Sequence, residues 1–261
     1  MKLSIVIPAH NEAGNIGPTL DNLRDHLTRH AIPFEILVVD DGSTDATASV
    51  VEGRARLDPN IVLVPNSGRN GFGRAIRYGL DHFSGDAVII YMADASDSPN
   101  DVVKYYHILR DEADCAFGSR WIRGGRVFDY PLIKRIINRL SNTFIRLLFG
   151  LAYNDITNAF KGYRRYVIDG CRPLLSPHFN LTVEIPLKAI IRGYSYAVIP
   201  ITWENRKLGR SGLNIQEMGS RYLFIVLIVW LEKLLTKGDY RRHGKEIFLQ
   251  GDRTGKEKQE I

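Results

Sequence analysis

Short apolar runs alternate with longer stretches of helical periodicity over the first 120 residues of the chain. The run at residues 87–91 is almost entirely apolar, which suits a strand that helices cover on both faces. Strands that alternate with helices of roughly 10–15 residues indicate βαβ units and a largely parallel, Rossmann-like α/β sheet. The pattern predicts strands at residues 3–7, 34–39, 61–64, 87–91 and 115–118, and helices at 13–30 and 74–83 with two more that end near residues 56 and 110.

The second half of the chain has a different pattern of residues, because basic residues interrupt its apolar positions. Residues 133–151 carry Leu, Ile and Phe at helical spacing with Lys and Arg between them, which predicts a basic amphipathic helix for a membrane interface. Residues 196–201 are typical of another strand, and residues 222–231 form a second apolar stretch. That stretch is much shorter than the roughly 20 residues needed to cross a bilayer, so we expect peripheral contact and no transmembrane helix.

These patterns divide the chain into one large domain and a tail. The domain spans residues 1–235, with a nucleotide-binding-like half at 1–120 and, at 121–235, a half that contains the stretches suited to a membrane interface. Residues 236–261 are polar with few core-forming side chains, and we expect a flexible tail there. With 44% hydrophobic and 25% charged residues, the chain can bury a substantial core, which excludes a disordered or fibrous protein.

The positive charge of the chain, +6 in total, is concentrated in one segment. Between Arg120 and Arg165 there are ten lysines and arginines and only two acids. Such a segment would suit nucleic acid, a phosphorylated ligand or an anionic membrane. Leu and Ile, rather than exposed aromatic rings that stack on bases, separate its charges, so we expect no nucleic-acid partner. The two cysteines, Cys115 and Cys171, are expected to be core residues.

Two carboxylates directly follow the strand predicted at residues 87–91. Asp94 and Asp97 lie where open α/β sheets bind their ligands, outside the carboxyl ends of the strands. A diphosphate carries too much negative charge to lie against carboxylates without a cation between them. The pair therefore predicts Mg²⁺ or Mn²⁺, bound through protein and phosphate oxygens. Asp41, after the second predicted strand, is placed to accept hydrogen bonds from a nucleobase.

Two further carboxylates have either a functional or a simpler explanation. Asp155 is a site residue or an ion-pair partner of Arg164 or Arg165. Glu184 lies in an otherwise apolar helix, where an unpaired carboxylate is costly, so pairing with a basic residue is the simpler explanation. A basic loop that contains Arg206, Lys207 and Arg210 closes over phosphates or is a solvated surface loop.

Eight motifs together resemble one enzyme family. In chain order they are SIVIPAHNE, VVDDGSTD, NGFGRAIRYGL, MADASDSP, GSRWIRGG, DITNAFKGYRR, FNLTVEIPLKA and ENRKLGRSG. Their order and spacing, over roughly residues 1–235, resemble family 2 glycosyltransferases of the dolichyl-phosphate mannose synthase type. The resemblance implies a GT-A fold and a nucleotide-sugar donor. It also implies inverting transfer of one sugar to a polyprenyl phosphate at the cytoplasmic face of a membrane, with the acceptor bound by the second half of the domain, residues 121–235.

The resemblance also assigns roles to individual residues. The residues that match its nucleotide contacts are Pro8, His10, Glu12, Asp41, Ala93 and Asp94. The residues expected to bind phosphate or the acceptor are Arg120, Lys134, Arg206 and Ser211. Asp94 and Asp97 are the expected metal ligands, and both are expected to be catalytic together with Arg206.

The chain departs from the family at the acidic motif. The motif is usually written DADLQHP; here Met92 replaces the first Asp, Ser96 replaces the Gln, and Asp97 replaces the His. Metal binding then depends on Asp94, helped by Asp97, the Ala93 carbonyl or phosphate oxygens.

The chemistry of the acceptor separates the possible functions. A hydroxyl acceptor must lose a proton, so its enzyme needs a general base, whereas a phosphate monoester is already anionic and needs cations to hold it. The basic segment supplies those cations, which favours a lipid phosphate. The alternatives are transfer to a glycan hydroxyl, with Asp97, Asp155 or Glu184 as the base, and a catalytically silent nucleotide-sugar-binding subunit, which Met92 suggests.

Overall fold

The computed structural model describes residues 1–205 and 215–241 of the chain. Strands and helices alternate through the first five strands, as the apolar pattern predicts. The elements are β1 (Leu3–Ala9), α1 (Ala13–Arg29), β2 (Phe34–Asp40), α2 (Thr47–Ala55), β3 (Ile61–Pro65), α3 (Phe72–His82), β4 (Ala87–Ile90), α4 (Pro99–Asp111), β5 (Cys115–Ser119), β6 (Arg126–Phe128), α5 (Leu132–Phe149), β7 (Lys161–Arg164), α6 (Arg165–Gly170), α7 (Leu181–Ile191), β8 (Tyr196–Pro200), β9 (Thr202–Glu204) and α8 (Ile215–Leu235).

One mixed sheet organises the described part of the chain. Its seven strands follow the order β3-β2-β1-β4-β7-β5-β8, and β7 alone runs antiparallel to its two neighbours. The strand β1 is buried along its whole length, because helices cover both faces of the sheet. Strands β6 and β9 form a separate parallel pair. The predicted α/β class, with a mostly parallel sheet, is confirmed.

Two hydrophobic cores lie on opposite faces of this sheet. Val6 and Val88 point into one core, while Ile5 and Ile89 point into the other. Successive side chains of a strand point to opposite faces, so the apolar runs of β1 and β4 supply both cores at once. Helices α1, α2 and α4 contribute to one core, and helices α3, α5, α7 and α8 contribute to the other.

Strand β7 is the strand of the seven-stranded sheet that the apolar pattern did not predict. Its sequence, KGYR, begins and ends with a charged residue, yet Lys161 is almost fully buried. The Lys161 ammonium donates to the carbonyl oxygens of Ile156, at 2.8 Å, and Thr182, at 3.2 Å, and also to that of Asn158. Burial lowers the pKa of Lys161 to about 7. These carbonyls satisfy the lysine inside the fold, which the sequence pattern alone does not reveal.

The two long helices of the second half occupy the stretches predicted to be amphipathic or apolar. Helix α5 covers most of the predicted 133–151 helix, and α8 contains the apolar stretch at 222–231. No described helix is both long enough and apolar enough to span a bilayer. Most of the predicted polar tail, residues 242–261, lies outside the described residues.

The close packing of α3 against the sheet can be tested at Gly79. A Cβ at this position would lie 2.5 Å from Val6 Cγ1 and 3.1 Å from Val39 Cγ2. We expect Gly79→Ala to lower the free energy of unfolding by about 1–3 kcal/mol, because overpacking outweighs the helix propensity of alanine. Urea unfolding of the purified variant measures the change.

Gly53 provides the matched control, because it is also helical and a Cβ there would meet nothing within 4 Å. Gly53→Ala should raise the free energy of unfolding by up to about 1 kcal/mol. Equal stability of Gly79→Ala and the wild type would contradict the packing described for α3.

Candidate active site

The carboxyl ends of β1, β2 and β4 meet at one edge of the sheet, and the predicted nucleotide contacts lie there. The Asp41 N–H donates to the Ala9 carbonyl at 2.8 Å, which joins the ends of β1 and β2. The His10 ring is exposed, and its Nδ1 lies 3.0 Å from the Asp41 carbonyl oxygen. The Glu12 N–H donates to Thr47 Oγ1 at 2.8 Å. The structure therefore brings His10, Glu12 and Asp41 together.

The Asp41 carboxylate is held by the loop that precedes α3. It is almost fully buried, and it accepts hydrogen bonds from Asn66 Nδ2, at 2.8 Å, and from the Gly71 N–H, at 2.7 Å. A carboxylate offers about four lone-pair sites, so two stay available for a ligand. Sequence analysis did not assign Asn66 or Gly71 to the site, although the glycine-rich NGFG segment was the signal for this loop.

Two turns at this edge use left-handed backbone without glycine. Asn11, after β1, has φ +55°, and Ala95, after β4, has φ +56°. Such a conformation costs an L-residue on the order of 1–2 kcal/mol, although Asn tolerates it better than Ala does. Asn11 Oδ1 accepts a hydrogen bond from the Thr44 N–H at 2.8 Å, which ties the turn after β1 to the turn after β2. Non-glycine residues held in this conformation are frequent at functional sites.

The turn at residues 92–98, which we call the acidic elbow, is held from several sides. The Thr19 hydroxyl lies 3.0 Å from the Ala93 carbonyl oxygen, and the Tyr91 hydroxyl donates to the Asp97 carbonyl. The Glu204 N–H donates to the Ser96 carbonyl at 3.1 Å, and Asp97 forms a β-bridge with Trp203. Contacts with α1, β4 and β9 thus hold the strained turn in one conformation.

The two acidic side chains of the elbow differ in environment. Asp94 is half-buried, and its Oδ1 accepts a hydrogen bond from the Ser96 N–H at 3.1 Å. Asp97 is 3% exposed, and its Oδ2 accepts no hydrogen bond from the part of the chain that the structure describes. Burial, and secondarily the negative charge of Asp94, raise the pKa of Asp97 to about 8. A neighbouring cation would stabilise the ionised form of Asp97.

The elbow fits a hard cation that takes few protein ligands. Asp94 and Asp97 supply carboxylate oxygens, and Asp97 Oδ2 is buried without a hydrogen-bond partner among the described residues. Among residues 1–205 and 215–241, no group of three or more His, Cys, Asp or Glu side chains could hold a metal by itself. Mg²⁺ and comparable ions are commonly bound by one or two carboxylates plus substrate phosphates, so the residues present suit that arrangement.

Arg120 and Asp155 form a buried ion pair, which corrects the expected pairing of Asp155 with Arg164 or Arg165. Arg120 Nη2 lies 2.7 Å from Asp155 Oδ1, and Arg120 Nε and its backbone N–H both donate to Oδ2. Arg164 and Arg165 instead donate to backbone carbonyls. Those two arginines lie at the far end of β7, where they join the amino ends of neighbouring strands. Arg120 directly follows β5, at the same sheet edge as the elbow.

An aromatic cluster surrounds the Arg120 guanidinium. Its Cζ lies 5.8 Å from the ring centroid of Trp121, 5.7 Å from that of Tyr130 and 5.9 Å from that of Trp203. Trp203 also contributes the β-bridge to Asp97, so one residue of β9 contacts both the acidic elbow and the arginine. The aromatic rings and the bidentate carboxylate together account for the burial of Arg120.

A cavity of about 300 Å³ lies beside this cluster, between α5 and α8. Its lining includes the polar residues Arg120, Tyr130, Lys134 and Asn138 and the apolar residues Ile137, Phe144, Leu223 and Val226. Two of the predicted phosphate-binding residues, Arg120 and Lys134, therefore face one space. The Asp155 carboxylate compensates the positive charge of Arg120. Among the described residues that line the cavity, Lys134 is the cation with no resolved ion pair.

Some of the remaining predicted site residues lie in the described part of the chain, and others lie outside it. Arg206 and Ser211 lie outside the described residues, as do Lys207 and Arg210. Glu184 is fully buried and pairs with Lys188 at 2.8 Å, which confirms pairing with a basic residue. Pro8 is a buried residue of β1 at the site edge of the sheet.

Similarity to proteins of known sequence places the chain in an enzyme family. The sequence profile of glycosyl transferase family 2 matches residues 4–171, and the chain belongs to this family. The polyprenol monophosphomannose synthase of Mycolicibacterium smegmatis is 33% identical over 223 residues, which cover 82% of each chain. The undecaprenyl-phosphate mannosyltransferase of Micrococcus luteus is 31% identical over 225 residues, which cover 82% of this chain and 88% of the relative.

Solved structures of lower identity share the fold. Glucosyl-3-phosphoglycerate synthase from Mycobacterium tuberculosis, in complex with phosphoglyceric acid, superimposes with a TM-score of 0.64 at 19% identity. The match covers 89% of this chain and 79% of that one. The same enzyme in complex with Mn²⁺, UDP and glucosyl-3-phosphoglycerate gives a TM-score of 0.64 at 20% identity, over 89% and 79% of the two chains. The predicted GT-A fold is thereby confirmed.

The raised pKa of Asp97 predicts how stability depends on pH. The pKa is about 8 in the folded chain and 3.8 for an ordinary aspartate, so folding binds a proton between those values. Without divalent metal, this proton should make the free energy of unfolding of the wild type fall as the pH rises from about 5 to about 7, below the pH at which the buried Lys161 begins to lose its own proton. Asp97→Asn cannot ionise, so its free energy of unfolding should lack this fall between pH 5 and 7 in urea titrations with EDTA.

Asp111→Asn is the control for this titration. Asp111 is fully exposed, and Arg110 lowers its pKa, so it is ionised in both states above pH 5. Its loss should leave the slope of the wild type unchanged between pH 5 and 8. Parallel slopes for wild type and Asp97→Asn would show that Asp97 is already ionised in the folded protein.

Proposed function

We propose that this protein transfers one sugar, with inversion, from a nucleotide-sugar donor to a polyprenyl phosphate at the cytoplasmic face of a membrane. The observation that carries the proposal is the cavity between α5 and α8, which is lined by the cation Lys134 and other polar residues and by apolar side chains. A lipid phosphate has the same division between an anionic head and an apolar chain. The two curated relatives support this acceptor, because their names specify polyprenol monophosphomannose and undecaprenyl phosphate.

The state of the candidate bases favours a phosphate acceptor over a glycan hydroxyl. Asp155 and Glu184 are both fully buried and are held in ion pairs with Arg120 and Lys188. Asp97 has a pKa raised to about 8, so it holds its proton at neutral pH when no cation is bound. None of these three side chains is therefore a free carboxylate for deprotonating a hydroxyl group. A phosphate monoester needs no such base.

The donor side of the proposal uses the sheet edge. Pro8, His10, Glu12, Asp41, Ala93 and Asp94 would contact the nucleotide, and the names of the relatives support mannose as the sugar. Asp94 and Asp97 would hold Mg²⁺ or Mn²⁺, which stabilises the charge on the departing nucleoside diphosphate when bound. The complex of glucosyl-3-phosphoglycerate synthase with Mn²⁺ and UDP supports a divalent cation here. Arg206 and Ser211 would add contacts to phosphate.

The two halves of the domain would then have separate roles. Residues 1–120 would bind the donor, since they supply Asp41 and the acidic elbow. Residues 121–235 would bind the acceptor and the membrane, since they supply Lys134 and both helices that line the cavity.

Exposed apolar stripes on these helices support contact with a membrane. On α5, one stripe contains Ile133, Ile136, Leu140, Phe144 and Leu147, which are spaced by three or four residues. On α8, a second stripe contains Phe224, Leu227, Leu231 and Leu234. Large exposed apolar patches of this kind indicate an interaction site, and the lipid acceptor makes a membrane the fitting partner.

The reaction can be tested by the release of nucleoside diphosphate. UDP- and GDP-sugars, mannose included, are supplied with Mn²⁺ or Mg²⁺, with and without a short-chain polyprenyl phosphate. We expect release from one donor only when metal and lipid phosphate are both present. Asp94→Asn should lower turnover at least about 100-fold, because a metal contributes several kcal/mol to transition-state stabilisation.

Asp111→Asn, at the end of α4 opposite the site, should keep wild-type turnover. Transfer to a soluble saccharide without lipid phosphate would identify a glycan hydroxyl as the acceptor. Nucleotide binding without turnover on any acceptor would favour the silent subunit. Wild-type rates in Asp94→Asn would remove Asp94 from the metal site.

Membrane contact can be tested on the α5 stripe. Replacement of Leu140 and Leu147 by Gln should weaken binding to liposomes of anionic phospholipid on the order of 100-fold, since each buried leucine contributes about 1.5–3 kcal/mol. Co-sedimentation with liposomes measures the binding.

Leu57→Gln is the matched control, because Leu57 is as exposed as Leu147 but follows α2, away from both stripes. It should bind liposomes like the wild type. If the Leu140 and Leu147 variant sediments unchanged, α5 does not contact the membrane.

A further inference from the structure

Glu184 is a buried carboxylate that neither substrate site uses directly. It lies in the first turn of α7, is 0% exposed, and forms an ion pair with Lys188. Its two oxygens accept hydrogen bonds from the N–H groups of Leu175 and Ser176, each at 2.7 Å. The Lys188 ammonium also donates to the Pro173 carbonyl. The pair therefore binds the backbone of the segment that precedes α7, residues 173–180, which we call the connecting segment.

One side of the connecting segment packs against the loop that holds Asp41. The Arg74 N–H donates to the Pro177 carbonyl at 3.2 Å. A Cβ at Gly73 would lie 2.5 Å from the His178 carbonyl oxygen, and a Cβ at Gly71 would lie 2.8 Å from that of Pro177. These glycines allow backbone to pack directly on backbone. Since the Gly71 N–H donates to Asp41, the segment supports the candidate nucleotide contact from behind.

The other side of the connecting segment contacts α8, the helix that lines the acceptor cavity. The Tyr222 hydroxyl donates to the Phe179 carbonyl at 3.1 Å, and Asn180 Nδ2 donates to the Arg221 carbonyl at 3.4 Å. The rings of Phe179 and Phe72 stack with centroids 4.0 Å apart, which links this contact back to α3. One short segment thus touches both the loop around Asp41 and a wall of the cavity.

We propose that Glu184 is a positioning residue, which holds the connecting segment and through it aligns the donor site with the acceptor cavity. The inference rests on the proposed function for the assignment of Asp41 to the nucleotide and of the cavity to the acceptor. A carboxylate suits this task because both of its oxygens accept, so it fixes two successive N–H groups at once. A glutamine offers one accepting oxygen, and its NH₂ group would face the other N–H donor.

The experiment compares Glu184→Gln with the wild type in three measurements. Calorimetry measures the affinity for UDP and for GDP, each with Mn²⁺, and steady-state kinetics measures the KM for a short-chain polyprenyl phosphate. Hydrogen exchange of the ligand-free protein follows the Gly71 and Arg74 amides, relative to an amide in β1 that reports global unfolding. We expect the affinities for UDP and for GDP to weaken on the order of 10- to 100-fold, because small displacements of binding groups have effects of this size. We also expect hydrogen exchange at the Gly71 and Arg74 amides to accelerate.

Glu35→Gln is the matched control. Glu35 also accepts from a lysine, Lys2, at 2.8 Å and from a backbone N–H, that of Ser84, at 2.6 Å, but it lies at the opposite end of the sheet. It should lose stability without changing nucleotide affinity or exchange at Gly71 and Arg74. Tyr222→Phe, which removes one of the two hydrogen bonds between the connecting segment and α8, should raise the KM for the lipid phosphate and leave nucleotide affinity unchanged.

The outcomes separate this inference from the proposed function. Unchanged nucleotide affinity and unchanged exchange at Gly71 and Arg74 in Glu184→Gln would overturn it, whatever the loss of stability. If Glu184→Gln fails to fold because Lys188 is left unpaired, the double variant with Lys188→Met removes both buried charges and is measured instead. If the wild type binds neither nucleotide, the proposed function fails, and the exchange of the ligand-free protein still decides the role of Glu184.

Discussion

The ion pair between Arg120 and Asp155 lies where the proposed donor edge of the sheet meets the proposed acceptor cavity, and it contributes to both. Arg120 follows β5 and is closed in by three aromatic rings, so its charge would be costly without the bidentate carboxylate. Asp155 lies in the loop before β7, and the pair therefore holds that loop against the end of β5. One face of Arg120 lines the cavity, and its positive charge acts on Asp97 in the elbow. Because Asp155 compensates the charge of Arg120, this arginine can keep the sheet edge and the cavity adjacent.

The acidic elbow shows how the fold holds a turn that is unfavourable by itself. Ala95 is in left-handed backbone, and Asp97 is buried with an unsatisfied oxygen among the described residues. Either feature would be lost in a loose loop, because the chain would relax or the carboxylate would turn to water. Contacts from Thr19, Tyr91 and β9 prevent that relaxation. The elbow is thus held in one conformation at the expense of local stability, as the proposed cation site requires.

The two sites use the two halves of the chain in physically different ways. At the donor edge, polar groups converge from strand ends and turns, where backbone N–H groups can orient a carboxylate such as Asp41. At the acceptor cavity, two helices provide apolar walls and leave their outer stripes exposed. Buried charges join these regions, since Glu184 and Lys188 hold the segment that contacts both.

The sequence by itself determined the six parallel strands of the main sheet, the helices between the first five of them, the family and the acids at the strand ends. These are local features, since an apolar run such as that of β4 and the Asp residues after it are read from neighbouring positions. Tertiary structure decided the partner of Asp155, the insertion of β7 between β4 and β5, the burial of Lys161 and the depth of Asp97. Each of these depends on residues far apart in the chain. From the sequence alone, a charged side chain is predicted to be exposed. The fold can bury it where a carbonyl or a carboxylate from elsewhere in the chain stabilises the charge, and no local pattern contains that partner.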